Sequence, residues 1–153
     1  MLGDAITLIP EARVMATTMT QINKVSRSAF KCRDFIRMSL DDYLQRIYQY
    51  SECHESCFVM AMIFIERVLQ EYSASSKSLP FNVYTLCLAS MVLAIKLSED
   101  DTCNNEFYAR LGGVSNDEMV ELELELLKLI KFDIFISKEE FTSYQKEMIS
   151  YQS

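Results

Sequence analysis

A long stretch without a charged side chain lies in the middle of the chain, from Ser78 to Ile95. Its length would suit a membrane helix, but a proline and several polar side chains interrupt it: Pro80, Asn82, Thr85 and Ser90. We therefore expect no membrane span, and instead a helix over Phe81–Leu97 that is buried on nearly all sides. A helix that is apolar all round needs other helices packed against it, so this stretch predicts the centre of a helical domain.

The composition favours a single all-α domain. The chain has 153 residues, of which 50% are hydrophobic, and only three glycines and two prolines. So few turn-forming residues leave little turn chemistry for the many hairpins of an all-β fold. The length suits one domain with a terminal extension.

Apolar spacing and helix-start signals place further helices around the central one. Ser39 and Ser115 are each followed three residues later by an acidic residue, as at the start of a capped helix. The expected helices are Pro10 to Lys24, Leu40 to Tyr50, Phe58 to Tyr72, Asn104 to Leu111, Asn116 to Lys131, and one beginning after Ser137. Residues 120–126 alternate between apolar and acidic as a strand would, but leucine and glutamate favour a helix. The serine-rich segment 73–80 is expected to be a loop.

Two charged residues break this apolar pattern. Lys96 is the only charge on the central helix, and Glu123 lies within the apolar arc of the helix that begins near Asn116. A lysine at the end of a helix can turn outward to solvent, where the helix dipole favours it. A carboxylate on a buried face must be paired or lie at an interface, because unpaired burial is costly. One isolated base and one isolated acid on two core helices favour a functional pairing between Lys96 and Glu123.

The charge distribution argues against nucleic-acid binding. The net charge is −7, and between residues 99 and 125 nine acidic residues stand against Arg110 alone. A nucleic-acid-binding chain normally carries a basic stripe, and none is visible. The acidic segment indicates either a basic protein partner or a solvated face.

The cysteine pattern favours a reducing compartment, and neither catalysis nor metal binding is expected. The chain has five cysteines and no basic region of a signal peptide at its start, so we expect free thiols and an intracellular, cytoplasmic or nuclear location. The segment Cys53-His54-Glu55-Ser56-Cys57 could offer metal ligands, but no second pair stands at zinc spacing. With a single histidine there is no convincing set of nucleophile and base, so we expect no catalytic residue, metal or cofactor.

Several stretches resemble the cyclin box. They are SLDDYLQRI at 39–47, FIERVL at 64–69, LAIKL at 93–97, NNEFYARLGGVS at 104–115, ELEL at 121–124 and KFDI at 131–134. The sequence is similar to the phosphate-signalling subclass of cyclins, also called P- or U-type. This resemblance implies an N-terminal extension over 1–36 with one helix, a five-helix cyclin box over 37–136, and a helical tail over 137–153.

The resemblance also implies a non-catalytic regulatory subunit that activates a cyclin-dependent protein kinase. Helices three and five of the box would bind the kinase C-helix and order it, in cell-cycle or phosphate signalling. The family's hallmark lysine in helix three falls on Lys96, and its hallmark glutamate in helix five falls on Glu123. A structural salt bridge between helices one and two would join Arg37 to Glu66, where the family usually has aspartate. No nucleic acid or membrane is implied as a partner, and the resemblance leaves room for an additional regulatory protein.

One departure from the family and three alternatives stay open. The hydrophobic substrate-docking motif of cell-cycle cyclins is not intact, because the matching region reads IRMSL at 36–40 with Asp42-Tyr43 in place of an Asp-Trp pair. A kinase-independent scaffold or adaptor would keep the fold but not depend on Lys96 and Glu123. A nucleic-acid-binding cyclin fold is opposed by the charge, and a small thiol or metal enzyme lacks the residues.

Overall fold

A computed structural model of the chain describes residues 9–25, 38–73 and 79–150. Within these ranges the chain forms helices and no strand, which confirms the expected all-α fold. The helices are α1 (Pro10–Val25), α2 (Leu40–Ser51), α3 (Ser56–Ser73), α4 (Val83–Ser98), α5 (Asn105–Gly112), α6 (Asn116–Leu129) and α7 (Lys138–Ser150). Of the expected loop at 73–80, residues 74–78 lie outside the described ranges.

Helix α4 is the centre of the fold, as its uncharged sequence predicts. Every residue from Thr85 to Ile95 is buried, because α4 packs against α1, α2, α3, α5 and α6. The helix begins at Val83 rather than Phe81, since the Asn82 side chain caps it by accepting a hydrogen bond from the Thr85 backbone N–H at 2.8 Å. None of the described helices is long and apolar enough to cross a membrane.

The predicted helix starts are explained by their caps. The side-chain oxygens of Ser39, Asn104, Ser115 and Ser137 each accept a hydrogen bond from the backbone N–H three residues later, at 2.9–3.1 Å. Such bonds satisfy amides that the first turn of a helix leaves without a partner. The starts of α2, α5, α6 and α7 are therefore fixed locally.

The end of α6 differs from the sequence prediction. The helix ends at Leu129 and not at Lys131, because Lys131 and Phe132 both adopt a left-handed backbone conformation, with φ of 56° and 58°. The backbone N–H of Phe132 then donates to the Leu127 carbonyl at 2.8 Å. No glycine marks this turn, so the usual sequence signal for such a helix end is missing.

The first helix is an integral part of the core. Helix α1 packs against α2, α3, α4 and α7, and its apolar face is completely or almost completely buried: Ala12, Met15, Ala16 and Met19. The predicted extension over 1–36 therefore contains a helix that packs on the rest of the domain. The boundary of the predicted box at residue 37 lies outside the described residues and stays a prediction.

Candidate functional site

The two misplaced charges, Lys96 and Glu123, lie next to each other. Lys96 is in the last turn of α4, and its Nζ lies 2.8 Å from Oε1 of Glu123 on α6. The side chains are 28% and 16% exposed, so the pair is half-buried. Lys96 Nζ also donates a hydrogen bond to Oδ1 of Asn105, the first residue of α5. The pair with its amide partner thus joins the end of α4 and the start of α5 to the middle of α6.

The positions of these side chains follow from their helices. Lys96 is the first charged residue after the buried run of α4, where the negative end of the helix dipole favours a cation. Glu123 is next to the buried Leu122 and one turn from the buried Met119 and Leu126. Asn105 was missed by sequence reasoning, because the neighbouring Asn104 accounts for the helix start and nothing local marks a second asparagine as a partner of Lys96.

Exposed apolar side chains are concentrated on the two helices that carry this pair and on the segment that follows α6. Six of the eight large apolar side chains that are exposed in the described residues belong to the end of α4, to α6, or to the segment just after α6. They are Leu97, Val120, Leu124, Phe132, Ile134 and Phe135, with exposed fractions from 39% to 73%. We call these six, together with Lys96 and Glu123, the α4–α6 face. Exposed apolar patches of this kind mark interaction sites.

Arg67 of α3 holds the segment that follows α6. Its Nη1 donates to the Asp133 carbonyl at 2.6 Å, and its Nη2 donates to the Phe135 carbonyl at 2.9 Å and to Oε1 of Glu140 at 3.0 Å. This one guanidinium therefore fixes the backbone that carries Ile134 and Phe135. Sequence reasoning missed Arg67; the signal was a cation inside an otherwise apolar helix, next to the Glu66 that it did select.

Only one partner of the predicted Arg37–Glu66 salt bridge, Glu66, lies in the described residues. Arg37 lies outside the described residues, so this bridge stays a prediction. Glu66 is exposed on α3 and interacts with the Tyr144 hydroxyl on α7. Burial raises the pKa of Tyr144 above its usual value, and the charge of Glu66 and its hydrogen bond add to that rise.

The cysteine and histidine segment joins the start of α3 to the end of α4. Cys53 and Cys57 are buried free thiols, and a hydrogen bond between them lowers the pKa of Cys53 and raises that of Cys57. The His54 backbone N–H donates to Glu99 Oε2 at 3.2 Å. Among the described residues no group of three or more histidine, cysteine or acidic side chains could hold a metal ion. The contacts are those of a structural connection.

The apolar residues Leu40 and Tyr43 of the segment that replaces the substrate-docking motif are buried in the core. Tyr43, which stands where cell-cycle cyclins have tryptophan, is 2% exposed, and its hydroxyl donates to the Gly112 carbonyl at 2.7 Å. The Tyr84 hydroxyl donates to the Met38 carbonyl, and the two tyrosine rings pack edge to face with centroids 5.1 Å apart. Ile36 and Arg37 lie outside the described residues.

Comparison with known proteins agrees with this helical arrangement. A family model described as cyclin matches residues 6–134, a range that includes α1 and Lys96 and Glu123. The chain is 45% identical over 107 residues to Cyclin-P3-1 of Oryza sativa subsp. japonica, which covers 70% of this chain and 44% of the relative.

Two relatives from Arabidopsis thaliana are similar in the same way. Cyclin-U1-1 is 40% identical over 115 residues, which covers 72% of this chain and 54% of the relative. Cyclin-U4-3 is 34% identical over 143 residues, which covers 89% of this chain and 64% of the relative. The chain spans about half the length of the curated relatives it matches. On the extent of the family match, together with these identities, the chain belongs to the cyclin family and is homologous to the plant P- and U-type cyclins.

Proposed function

We propose that this chain is the regulatory subunit of a cyclin-dependent protein kinase and that it binds the kinase through the α4–α6 face. Members of the cyclin family are non-catalytic regulatory subunits of kinases. The observation that carries the proposal is the half-buried Lys96–Glu123 pair, together with exposed apolar side chains on the same two helices and on the segment after α6. The proposed complex is intracellular, in the cytoplasm or the nucleus, where protein kinases of this class act.

The ion pair has hydrogen-bonding capacity left for a partner. A lysine ammonium has three donors, and Lys96 directs two of them to Glu123 and Asn105. Its third donor suits a backbone carbonyl of the kinase, and Oε2 of Glu123 suits a backbone N–H. Because the pair is already formed, its two side chains are held in place before binding, which reduces the entropy lost on association.

Affinity and register have different sources in this arrangement. The apolar side chains of α6 and of the segment that follows it would supply most of the buried area, led by Phe132 and Phe135. The charged pair would fix how the kinase helix is aligned on that area, since a misaligned backbone would leave buried charges without partners. Arg67 would support this binding surface, because it holds the backbone at Asp133 and Phe135 in place.

The proposed mechanism places all the chemistry in the kinase. Docking on α4 and α6 would hold the kinase C-helix in the position where its glutamate pairs with the lysine that contacts ATP. That pair is required for phosphoryl transfer in protein kinases. The chain would act by stabilising the active conformation of the kinase. The shift toward that conformation would be set by how much more tightly the α4–α6 face binds it than the inactive conformation.

The test is affinity purification from the source cell with the wild-type chain and a Lys96→Ala, Glu123→Ala double variant. The matched control is a Glu121→Ala, Lys128→Ala variant, which removes one acid and one base from the opposite side of α6. Recovered kinase is identified by mass spectrometry, and its activity is measured on a generic protein substrate. We expect the double variant to lose about tenfold or more of the recovered activity, because central interface residues dominate binding.

Three outcomes separate the alternatives, given that circular dichroism shows each variant to be folded. Loss of the kinase with the double variant and retention with the control supports the proposal. Equal recovery with all variants keeps the kinase as partner but contradicts the α4–α6 face. Absence of any kinase with the wild type contradicts the proposal and favours a kinase-independent scaffold.

A further inference from the structure

A second surface feature lies away from the α4–α6 face, in a groove between α2 and α5. The groove has a volume of about 300 Å³ and is lined by Arg46, Tyr50, Phe107, Arg110 and Leu111. Its floor is apolar, because Leu111 is buried and Phe107 is half-buried, whereas Tyr50 is 57% exposed. Two guanidinium groups border this apolar floor. We call it the α2–α5 groove.

The two arginines of the groove form no ion pair within the part of the chain that the structure describes. Arg46 Nε donates to the Leu111 carbonyl at 3.0 Å, and its guanidinium lies 5.8 Å from the centre of the Tyr50 ring. Among the described residues, neither Arg46 nor Arg110 has a carboxylate oxygen within 4.0 Å. Arg46 is held in place by its Nε bond, while its two terminal nitrogens remain available for a ligand.

The groove and the α4–α6 face can be occupied at the same time. Phe107 and Arg110 follow Asn105 on α5 by two and five residues, which at about 100° per residue turns them to the opposite side of the helix. Asn105 is the α5 residue that contacts Lys96. A ligand in the α2–α5 groove therefore does not compete with a protein bound at the ion pair.

The surroundings of the groove restrict what it can bind. Asp42 and Glu106 stand one helical turn before Arg46 and Arg110, and nine acidic residues lie between 99 and 125. A continuous polyanion such as a nucleic acid, or an anionic membrane, would meet these acids as well as the two arginines. A short segment with a few carboxylates avoids that repulsion. The volume is at the lower end for ligand pockets and suits one or two side chains.

We propose that the α2–α5 groove binds a short acidic peptide segment of a partner protein. Carboxylates of that segment would pair with the Arg46 and Arg110 guanidiniums, whose planar geometry suits bidentate binding. An apolar side chain between the carboxylates would pack on Tyr50, Phe107 and Leu111. The groove lies one to two turns beyond the position of the cell-cycle docking motif on α2, and its cationic border gives it a different ligand chemistry.

The test uses the full chain and a short fluorescein-labelled peptide in which glutamate and leucine alternate. Binding is followed by fluorescence anisotropy, with matched peptides in which glutamine or lysine replaces every glutamate. We expect the glutamate peptide to bind at least about tenfold more tightly than the glutamine peptide, because each charged hydrogen bond contributes to affinity. Added salt should weaken this binding.

Variants of the chain test the location of the site. Arg110→Glu should weaken binding of the glutamate peptide by about tenfold or more, since it replaces an attraction by a repulsion. Lys146→Glu is the matched control on α7, a helix that packs against α1 and α3, and should change binding by less than about twofold. Arg46→Lys keeps the charge but loses the bidentate geometry and should weaken binding by an intermediate amount.

Several results would overturn this proposal. Equal binding of the glutamate and glutamine peptides would exclude an ionic site, and unchanged binding by Arg110→Glu would exclude this groove. Absence of binding by the wild type would exclude an acidic peptide as ligand. The Lys96→Ala, Glu123→Ala variant should bind the peptide as the wild type does, so the result does not depend on whether the chain binds a kinase.

Discussion

At the scale of single residues, Ser90 in the middle of α4 is an exception to the rule that buried polar groups are hydrogen-bonded. It is completely buried, and among the described residues its hydroxyl has no hydrogen-bond partner. Ser98, the last residue of α4, is the opposite case, because its hydroxyl donates a hydrogen bond to the Ala94 carbonyl at 2.7 Å. The same residue type therefore has opposite energetic roles on one helix.

We expect Ser90→Ala to raise the free energy of unfolding by about 1 kcal/mol, because it removes a desolvated hydroxyl and improves helix propensity. Urea denaturation followed by circular dichroism measures this change. Ser98→Ala is the matched control and should lower the free energy of unfolding. A loss of stability with Ser90→Ala as large as with Ser98→Ala would show that the Ser90 hydroxyl is satisfied in solution.

The charged residues of the candidate site could be predicted from the sequence, but their partners only in part. Lys96 and Glu123 stand out because each contradicts the apolar pattern of its own helix. Asn105 does not contradict any local pattern, and Arg67 only interrupts the apolar run of α3; the roles of both arise from contacts between elements, which the pattern of a single helix does not contain. Periodicity describes which side of a helix is buried and carries no information about what lies on the other side of the contact.

At the scale of helices, Arg67 is the connection between α3, the segment after α6, and α7. Its side chain is 17% exposed and forms an ion pair with Glu140 at 3.0 Å. A second ion pair, between Lys131 and Glu71 at 3.5 Å, spans α3 and the same segment, but its side chains are 74% and 40% exposed. The more buried ion pair, that of Arg67, is expected to contribute more to the stability of the fold, since exposed ion pairs stabilise a protein only weakly.

We expect Arg67→Met to lower the free energy of unfolding by about 1–3 kcal/mol, because it removes several hydrogen bonds to a charged group while keeping the apolar stem. Hydrogen–deuterium exchange should increase in residues 133–136. Lys131→Met is the matched control and should change both quantities much less. Unchanged exchange in Arg67→Met would mean that the segment is held by its own packing.

The helices themselves were largely predictable, and their ends less so. Caps such as Ser39 and Ser115 are local signals, so the starts of α2 and α6 could be read from a few residues. The end of α6 could not, because its left-handed residues are Lys131 and Phe132 rather than glycine. Helix α5 shows the contrary case, since Gly113 with φ of 76° forms its end, and glycine is the usual sequence signal for such an end.

At the scale of the whole molecule, several tyrosines and a thiol are buried or partly buried in the core. Burial raises the pKa of Tyr43, Tyr84, Tyr108 and Cys87 above the usual values of 10.0 for tyrosine and 9.0 for cysteine. In the unfolded chain these groups lose their protons near the usual values, while the folded chain retains them to higher pH. The folded state then binds more protons, and stability falls as the pH rises.

We therefore expect the contribution of these groups to be constant below about pH 8 and the free energy of unfolding to fall above about pH 9–10, by up to about 1.4 kcal/mol per pH unit for each group. Urea midpoints near neutral pH and at about pH 10.5 measure this loss. Tyr43→Phe should reduce the loss, whereas Tyr50→Phe, at a residue 57% exposed, should leave it unchanged. Equal loss in both variants would contradict the role of Tyr43.

The packing of α1 against α7 has a consequence for how the protein is made. Helix α1 leaves the ribosome before α7 and meets this packing partner only when α7 has been synthesised, so this contact forms late. Until then, the surface near Val14 and Met62 that faces Tyr144 and Met148 remains open to chaperones and proteases. Damage to α7 would therefore appear in a cell as low abundance of the protein rather than as a defect in what it binds.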